Sequence, residues 1–380
     1  MKIAFCLYKY FPYGGLQRDF MRFLQEAQSR GYDCRIYCIK WQGERPSHVD
    51  LRFVPVKAFS NHRRNEKYAR WVQQDLARDP VDVVFGFNKM PGLDIYYAAD
   101  SCYEDKAKNS RGWLYRLSAR YKHFSKYEQE VFSRGHQSDI LLISEIEKNK
   151  FVEHYQTEAR RMHMLPPGIS KDRCAPDNAL EVRQQFRQEF GLADDDNLLL
   201  FVGSGFIKKG LDRAITALAG LPKDVQNKTR LFILGQDKQT RFEQLAKQLN
   251  VADNVSFMSG RDDVPRFLLG ADVLVHPALD EAAGIVLLEA LVAGLPVLVT
   301  DVCGYAPFID KAKAGVVLLS PFKQEMMNKI LLMMLDKQQA KRWQKNAIAY
   351  SKAEDLYSMH ATGIDILERS YRRLKNKVGG

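Results

Sequence analysis

Short apolar runs rich in Val, Ile, Leu and Phe alternate with longer helical patterns along almost the whole chain. That alternation limits the fold more than any other feature. In the first half the runs are Ile3–Tyr8, Cys34–Ile39, Leu51–Val56, Val81–Phe87, Ile95–Ala99 and Ile140–Ile143. In the second they are Leu198–Val202, Arg230–Leu234, Val255–Met258, Val273–His276, Pro296–Thr300 and Gly315–Leu318. Helical patterns such as Leu16–Arg30, Arg64–Arg78, Leu211–Leu218, Arg241–Leu249 and Ile285–Ala293 lie between them. Short strands separated by helices predict parallel sheets covered on both faces. Two complete sets predict two doubly wound α/β domains, and 380 residues are enough for two. The seam is placed at Leu165-Pro166-Pro167-Gly168-Ile169, because paired prolines cannot continue a strand and glycine permits a sharp redirection.

Composition excludes several classes. Hydrophobic residues at 46% and charged residues at 27% are the balance of a globular chain, neither disordered nor fibrous. The longest apolar stretch, Ile285–Thr300, carries Glu289, Gly294 and Pro296 and is too short to span a bilayer. The opening run stops at Lys9, so no secretory leader is expected. The six cysteines form no C-x-x-C pair and read as reduced core residues of a cytosolic protein. The eleven methionines, Met333 and Met334 included, read as core filling. A net charge of +11 is concentrated in the first 170 residues, where 28 basic side chains face 20 acidic ones. This favours an anionic partner. The basic cluster Asn61–Lys67 is accompanied by no helix-turn-helix, zinc-knuckle or RNP-like string, so it reads as solvated surface and nucleic acid is not expected.

Ligands of open α/β sheets bind beyond the carboxyl ends of the strands, and three motifs stand there. Tyr13-Gly14-Gly15-Leu16 follows the first strand and opens a helix; it is either a tight turn or an anion cradle, and it is not the dinucleotide G-x-G-x-x-G. Gly203-Ser204-Gly205-Phe206-Ile207-Lys208-Lys209-Gly210 repeats the arrangement with two lysines, yet Leu211 follows Gly210, which argues against a P-loop. The third is His276-Pro277-Ala278-Leu279-Asp280-Glu281-Ala282-Ala283-Gly284-Ile285, continuing to Glu289. Glu289 lies inside an otherwise apolar helix, and a buried carboxylate needs a donor, for which a ribose diol or an arginine would serve. Glu281 precedes the helix, where sugar hydroxyls could meet it while the amides around Gly284 and Ile285 face a phosphate. His276 reads as a strand-end packing residue. Asp194–Asp196 formally contains D-x-D but sits in a polar turn, so no metal site is expected.

Glu281-x7-Glu289 followed by Ala293-Gly294-Leu295-Pro296 resembles the donor-site signature of the GT-B retaining glycosyltransferases of family 4. Gly203–Gly210, Leu234-Gly235-Gln236-Asp237 and Ser259-Gly260-Arg261-Asp262-Asp263-Val264 stand in that family's order. The strings Phe5–Pro12, Gly86–Asp94 and Val302–Tyr305 are similar to the glucosyltransferases of lipopolysaccharide core biosynthesis, and the likeness runs from residue 1 to about residue 370. The resemblance implies a GT-B fold, two Rossmann-like domains facing across a cleft: 1–167 with the tail 356–380 for the acceptor, and 168–355 for the nucleotide sugar. It implies transfer of glucose from UDP-glucose to an inner-core heptose, with no cofactor and no metal. Arg173 and Lys209 would hold the diphosphate, with amides of Gly15, Ala283, Gly284 and Ile285. Glu281 would meet sugar hydroxyls, Glu289 the ribose diol, and Arg261 would lie near the uracil. Asp19 and Asp100 would approach the sugar from the acceptor side, so that Asp19, Glu281 and Asp100 form the catalytic set. Relatives carry an arginine where this chain has Lys208, which loses a bidentate fork. A family 4 transferase using UDP-galactose or a UDP-N-acetylhexosamine on another glycolipid is the runner-up, and a GT-B epimerase or phosphorylase is a more distant alternative.

Tyr103–His136 carries eight cations against four acids. Read as one helix, it places Trp113, Leu117, Tyr121, Phe124, Tyr127 and Val131 on a single face. Aromatics flanked by Arg116, Arg120, Lys122 and Lys126 suit contact with an anionic membrane surface, while burial of that face in the core is the competing reading. The expectation is a cytoplasmic protein bound peripherally to the inner membrane, where a lipid-anchored acceptor is presented.

Overall fold

The computed structural model describes residues 1–12 and 14–378. They form two units: Met1–Gly168 with the tail from Ser358, and Ile169–Tyr357.

In the N-terminal unit seven strands form one sheet: β1 (Lys2–Cys6), β2 (Asp33–Cys38), β3 (Val49–Phe53), β4 (Val83–Gly86), β5 (Ile95–Ala98), β6 (Asp139–Leu142) and β7 (Met162–Met164). Their order is β3-β2-β1-β4-β5-β6-β7, and every neighbouring pair is parallel. The order reverses beside β1, the point at which doubly wound sheets open a crevice. β7 is not among the strands expected from the sequence, because Met162-His163-Met164 is three residues long and interrupted by a polar one. The helix Gly15–Ser29 buries Gln17, Phe20, Phe23, Leu24 and Ala27, a stripe at three- and four-residue steps. Phe20 and Phe23 meet Phe5, Phe85 and Phe87 edge-on or tilted, with ring centroids 5.0 to 5.9 Å apart. The C-terminal helix Met359–Val378 is tied to the same unit by charge-assisted bonds: Ser370 Oγ and Arg373 Nη2 donate to Asp139 at 2.5 and 2.6 Å, and Arg30 pairs with Asp365 at 2.6 Å.

The C-terminal unit repeats the plan with β8 (Asn197–Val202), β9 (Thr229–Leu234), β10 (Val255–Phe257), β11 (Val273–His276), β12 (Val297–Thr300) and β13 (Gly315–Leu318), in the parallel order β10-β9-β8-β11-β12-β13. Leu198 and Leu200 belong to one apolar layer, Leu199 and Phe201 to the other. Both faces of β8 are therefore covered, which is why its sequence is continuously apolar instead of alternating. The helix Ile285–Ala293 is buried from Val286 onward, Glu289 included. Among the described residues no helix is long and apolar enough to cross a membrane.

Candidate active site

In the C-terminal unit the turns after β8, β9 and β10 are stitched together beyond the carboxyl ends of their strands. Gly203 N donates to Leu234 O at 2.7 Å and Gly235 N to Ser259 O at 2.9 Å. Phe206 N donates to Asp237 Oδ2 at 2.9 Å, and Gln236 N to Ser204 Oγ at 3.0 Å. Gly210 joins this assembly to the turn after β11. It sits at φ +72°, and a Cβ there would lie 2.1 Å from the Pro277 carbonyl oxygen, so only glycine lets the two turns approach. Leu279 N donates to Lys208 O at 2.7 Å, and Arg213 Nη1 donates to the carbonyls of Pro277 and Ala278.

This stitching carries Lys209 onto Glu281, and the two form an ion pair. His276 Nε2 lies 3.6 Å from the same carboxylate oxygen. Burial pushes the Glu281 carboxyl up, but His276 and the Lys209 ammonium more than offset it and hold it at about 2. Glu281 is therefore a carboxylate at neutral pH. Burial pushes the fully enclosed His276 imidazole down, toward its neutral form. The backbone behind Glu281 is fixed as well, since Gly304 N donates to Glu281 O and Tyr305 N to Ala283 O at 2.8 Å. Gly284, at φ +84°, turns the chain into the helix Ile285–Ala293. Leu287 N bonds back to Gly284 O at 2.9 Å, and the amides ahead of it, those of Ile285 and Val286, stand at the positive end of the helix dipole.

Glu289, one turn further on, is only 7% exposed, and among the described residues nothing pairs with its carboxylate. Arg173 lies in the turn Lys171–Arg173, which packs on this helix through Ala175 N donating to Val292 O at 3.0 Å. Arg173 also borders a cavity of about 200 Å³ with Cys174, Val182, Arg266 and Leu269. Lys208, beside Lys209, points to Asp280 at 3.7 Å. Arg261 is held by a fork to Asp263 at 2.7 and 2.9 Å and lies over the Phe267 ring. Among the described residues no group of three or more His, Cys, Asp or Glu side chains could hold a metal ion.

The N-terminal unit carries the other candidates. Gly15 opens its helix and is exposed, while Tyr13 of the same motif lies outside the described residues. Asp19, on that helix, accepts a hydrogen bond from Tyr97 OH at 2.8 Å and has His360 Nε2 3.5 Å from its other oxygen. Asp100 stands exposed two residues beyond β5. Lys209, Glu281, Ala283, Gly284 and Ile285 thus come together in the C-terminal unit, with Glu289 and Arg173 joined to them through one helix.

The sequence profile of the family described as glycosyl transferases group 1 matches residues 182–350. The lipopolysaccharide glucosyltransferase WaaG of Escherichia coli K12 is 48% identical over 97% of this chain and 98% of its own length. The crystal structure of WaaG, a glycosyltransferase involved in lipopolysaccharide biosynthesis, superposes with a TM-score of 0.90 over 96% of this chain and 99% of that one. The chain is a group 1 glycosyl transferase of the WaaG family. Its two Rossmann-like units are those of the GT-B fold, shared at a TM-score of 0.76 and 16% identity with a sucrose-phosphate synthase of Thermosynechococcus elongatus.

Two expectations for this glycosyltransferase are corrected by the structure. Tyr103–His136 is not one helix: it divides into Tyr103–Ser110, a 3-10 turn Trp113–Leu117 and a helix Ala119–Phe132. Gly112 is extended, and Ser118, also extended, caps the next helix by accepting from Tyr121 N. The single apolar face is broken accordingly. Tyr127, Val131 and Phe132 are core residues, whereas Trp113, Leu114 and Leu117 are 73, 63 and 64% exposed, and Arg116, Arg120, Lys122 and Lys126 are exposed as well. The methionines are not all core filling, since Met326 and Met333 are 51 and 47% exposed while Met334 is buried. Sequence reasoning also missed Arg213, whose role in bracing the turn after β11 is not visible from a lone arginine in an amphipathic helix. It missed Tyr97 and His360 beside Asp19 as well, because they come from distant parts of the chain and carry no local motif.

Proposed function

We propose that this enzyme moves glucose from UDP-glucose onto an inner-core heptose of lipopolysaccharide with retention of anomeric configuration and without a metal ion. The buried, unpaired Glu289 carries the donor half of the reading. A carboxylate in an apolar helix costs several kcal/mol unless it is hydrogen-bonded, and a ribose diol offers two donors at that depth. The acceptor half is supported by the full-length likeness to WaaG.

Breaking the anomeric bond develops positive charge on the sugar and negative charge on the departing β-phosphate. Lys209, Arg173 and the amides of Gly284 and Ile285 stabilise the leaving group, the work a divalent cation performs elsewhere. Glu281 takes hydrogen bonds from the sugar hydroxyls and stabilises the cationic ring. The acceptor hydroxyl attacks on the face the phosphate leaves and passes its proton to the β-phosphate oxygen, so configuration is kept. Asp19, steadied by Tyr97, and Asp100 orient the acceptor side, Gly15 supplies a backbone amide, and Arg261 lies at the uracil.

The exposed Trp113, Leu114 and Leu117, with the exposed cations of the same segment, dock the enzyme on an anionic lipid surface, where apolar burial and charge attraction act together. Incubation with UDP-glucose and deacylated inner-core acceptor tests the chemistry. The NMR coupling of the new anomeric proton should report an α-glucoside; a β-glucoside would overturn retention.

A further inference from the structure

His276 closes β11 and is fully buried, yet neither of its ring nitrogens has a hydrogen-bond partner among the described residues. Buried polar atoms are paired in the great majority of cases, and an orphan carries a desolvation penalty that calls for a reason. The ring packs parallel to Phe201, at 23° and 6.4 Å between centroids, which fixes its plane. Its Nε2 points at Glu281 Oε2 from 3.6 Å, about half an ångström beyond hydrogen-bond range. Lys209 is bonded to that same oxygen.

One oxygen therefore faces two nitrogens, and only the lysine is within bonding distance. In the proposed reaction Lys209 serves the diphosphate and Glu281 the sugar, so the ammonium must exchange its carboxylate partner for phosphate oxygens. Glu281, whose side chain is only 20% exposed, then loses its counter-charge in a place where water compensates poorly. We propose that His276 is a positioning residue, whose Nε2–H takes over the Glu281 carboxylate when Lys209 turns to the donor phosphates and so holds it aimed at the glucose hydroxyls. This rests on the UDP-glucose reading above. Burial supports it independently, because it favours the neutral imidazole: a donor that steadies Glu281 without adding a cation that would compete with Lys209.

Two variants of the full-length enzyme separate this role from simple packing. His276→Phe keeps the ring and removes the donor, whereas His276→Gln keeps an N–H near the place of Nε2. With both shown to melt cooperatively, His276→Phe should lose roughly 10- to 100-fold in kcat, the range for a hydrogen bond to a charged group. Its KM for UDP-glucose and its UDP affinity should stay within about twofold, because Lys209 and Glu289 are untouched, and His276→Gln should recover most of the lost kcat. A wild-type kcat in His276→Phe, or an equal loss in both variants, would overturn the proposal. A second measurement needs neither variant nor turnover: ¹⁵N–¹H correlation spectra of the His276 ring in the wild-type enzyme. The Nε2–H tautomer is expected, with its signal moving when UDP is added, and an Nδ1–H tautomer with bare Nε2 would sink the assignment. Absence of wild-type turnover with UDP-glucose would defeat the donor reading instead, and the ring tautomer would still decide the role of His276.

Discussion

Lys89→Met removes the counter-charge of a carboxylate that water does not reach. Glu128 is fully buried and pairs with Lys89 at 2.5 Å, whose own side chain is 12% exposed. Glu128 also accepts from Tyr155 OH at 2.6 Å, Tyr103 N at 2.8 Å and Glu104 N at 2.9 Å, and so anchors the start of the Tyr103–Ser110 helix. Breaking a buried pair from one side costs about 3–5 kcal/mol, and the remaining donors, with the Cys102 thiol as a fourth at 3.8 Å, place this case near the lower end. For a unit of this size each kcal/mol moves Tm by about 2–4 °C, so calorimetry should show the N-terminal unit melting roughly 6–12 °C earlier. Burial pushes the Glu128 carboxyl up, but Lys89 and the hydrogen bonds more than offset it and leave it below its usual value. A depressed carboxyl contributes stability above its unfolded pKa of about 4.3 and loses it as pH falls through the folded value. The gap between wild type and variant should therefore close in acid. Adding Glu128→Gln should restore at least about 1 kcal/mol, since it removes the stranded charge. A Tm within 2 °C of wild type, or strictly additive losses in the double variant, would refute the reasoning.

Glu281→Gln should lower kcat about 10²–10³-fold, the cost of removing one electrostatic group at a transition state, while UDP affinity stays unchanged; Lys209→Ala should weaken both, and equal UDP affinity in wild type and Lys209→Ala would remove the phosphate assignment. Glu289→Leu should weaken UDP binding by about 10- to 100-fold in calorimetry, one charge-assisted hydrogen bond at about 1.5–3 kcal/mol, and should abolish any preference for UDP over its 2′-deoxy analogue; a preserved preference would place the ribose elsewhere. Replacing Arg116, Arg120, Lys122 and Lys126 by Gln should weaken co-sedimentation with anionic vesicles at least tenfold, each cation near the surface contributing about 1 kcal/mol. Unchanged binding would move the lipid contact to another surface.

The fold was readable because β8, β11 and β12 are short, almost wholly apolar runs rich in Val and Leu with helical patterns between them, as strands of a parallel sheet covered on both faces are. The two-residue pairing of Lys9–Tyr10 with Lys40–Trp41 was not, because strands that short leave no periodicity. The region from Tyr103 to His136 misled for a physical reason. Its apolar residues keep helical spacing through Gly112 and Ser118, and spacing cannot register a change of direction that Ser118 makes by capping a new helix. Within the site, the sequence placed Glu281 ahead of a helix and Glu289 inside it, and the structure has Glu281 in the turn before Ile285–Ala293 and Glu289 buried within that helix. The pairing of Lys209 with Glu281 was beyond local reading: 72 residues separate them, and they meet only because Gly210 lets two turns touch.

The most direct test of the central claim is a radiolabel-transfer screen with the purified enzyme, deacylated inner-core acceptor, and UDP-glucose, UDP-galactose and UDP-N-acetylglucosamine in parallel, each with and without excess chelator. Label should reach the acceptor from UDP-glucose alone, at the same rate in chelator. Transfer from another UDP-sugar in preference, or activity lost to chelator and restored by magnesium, would contradict the account.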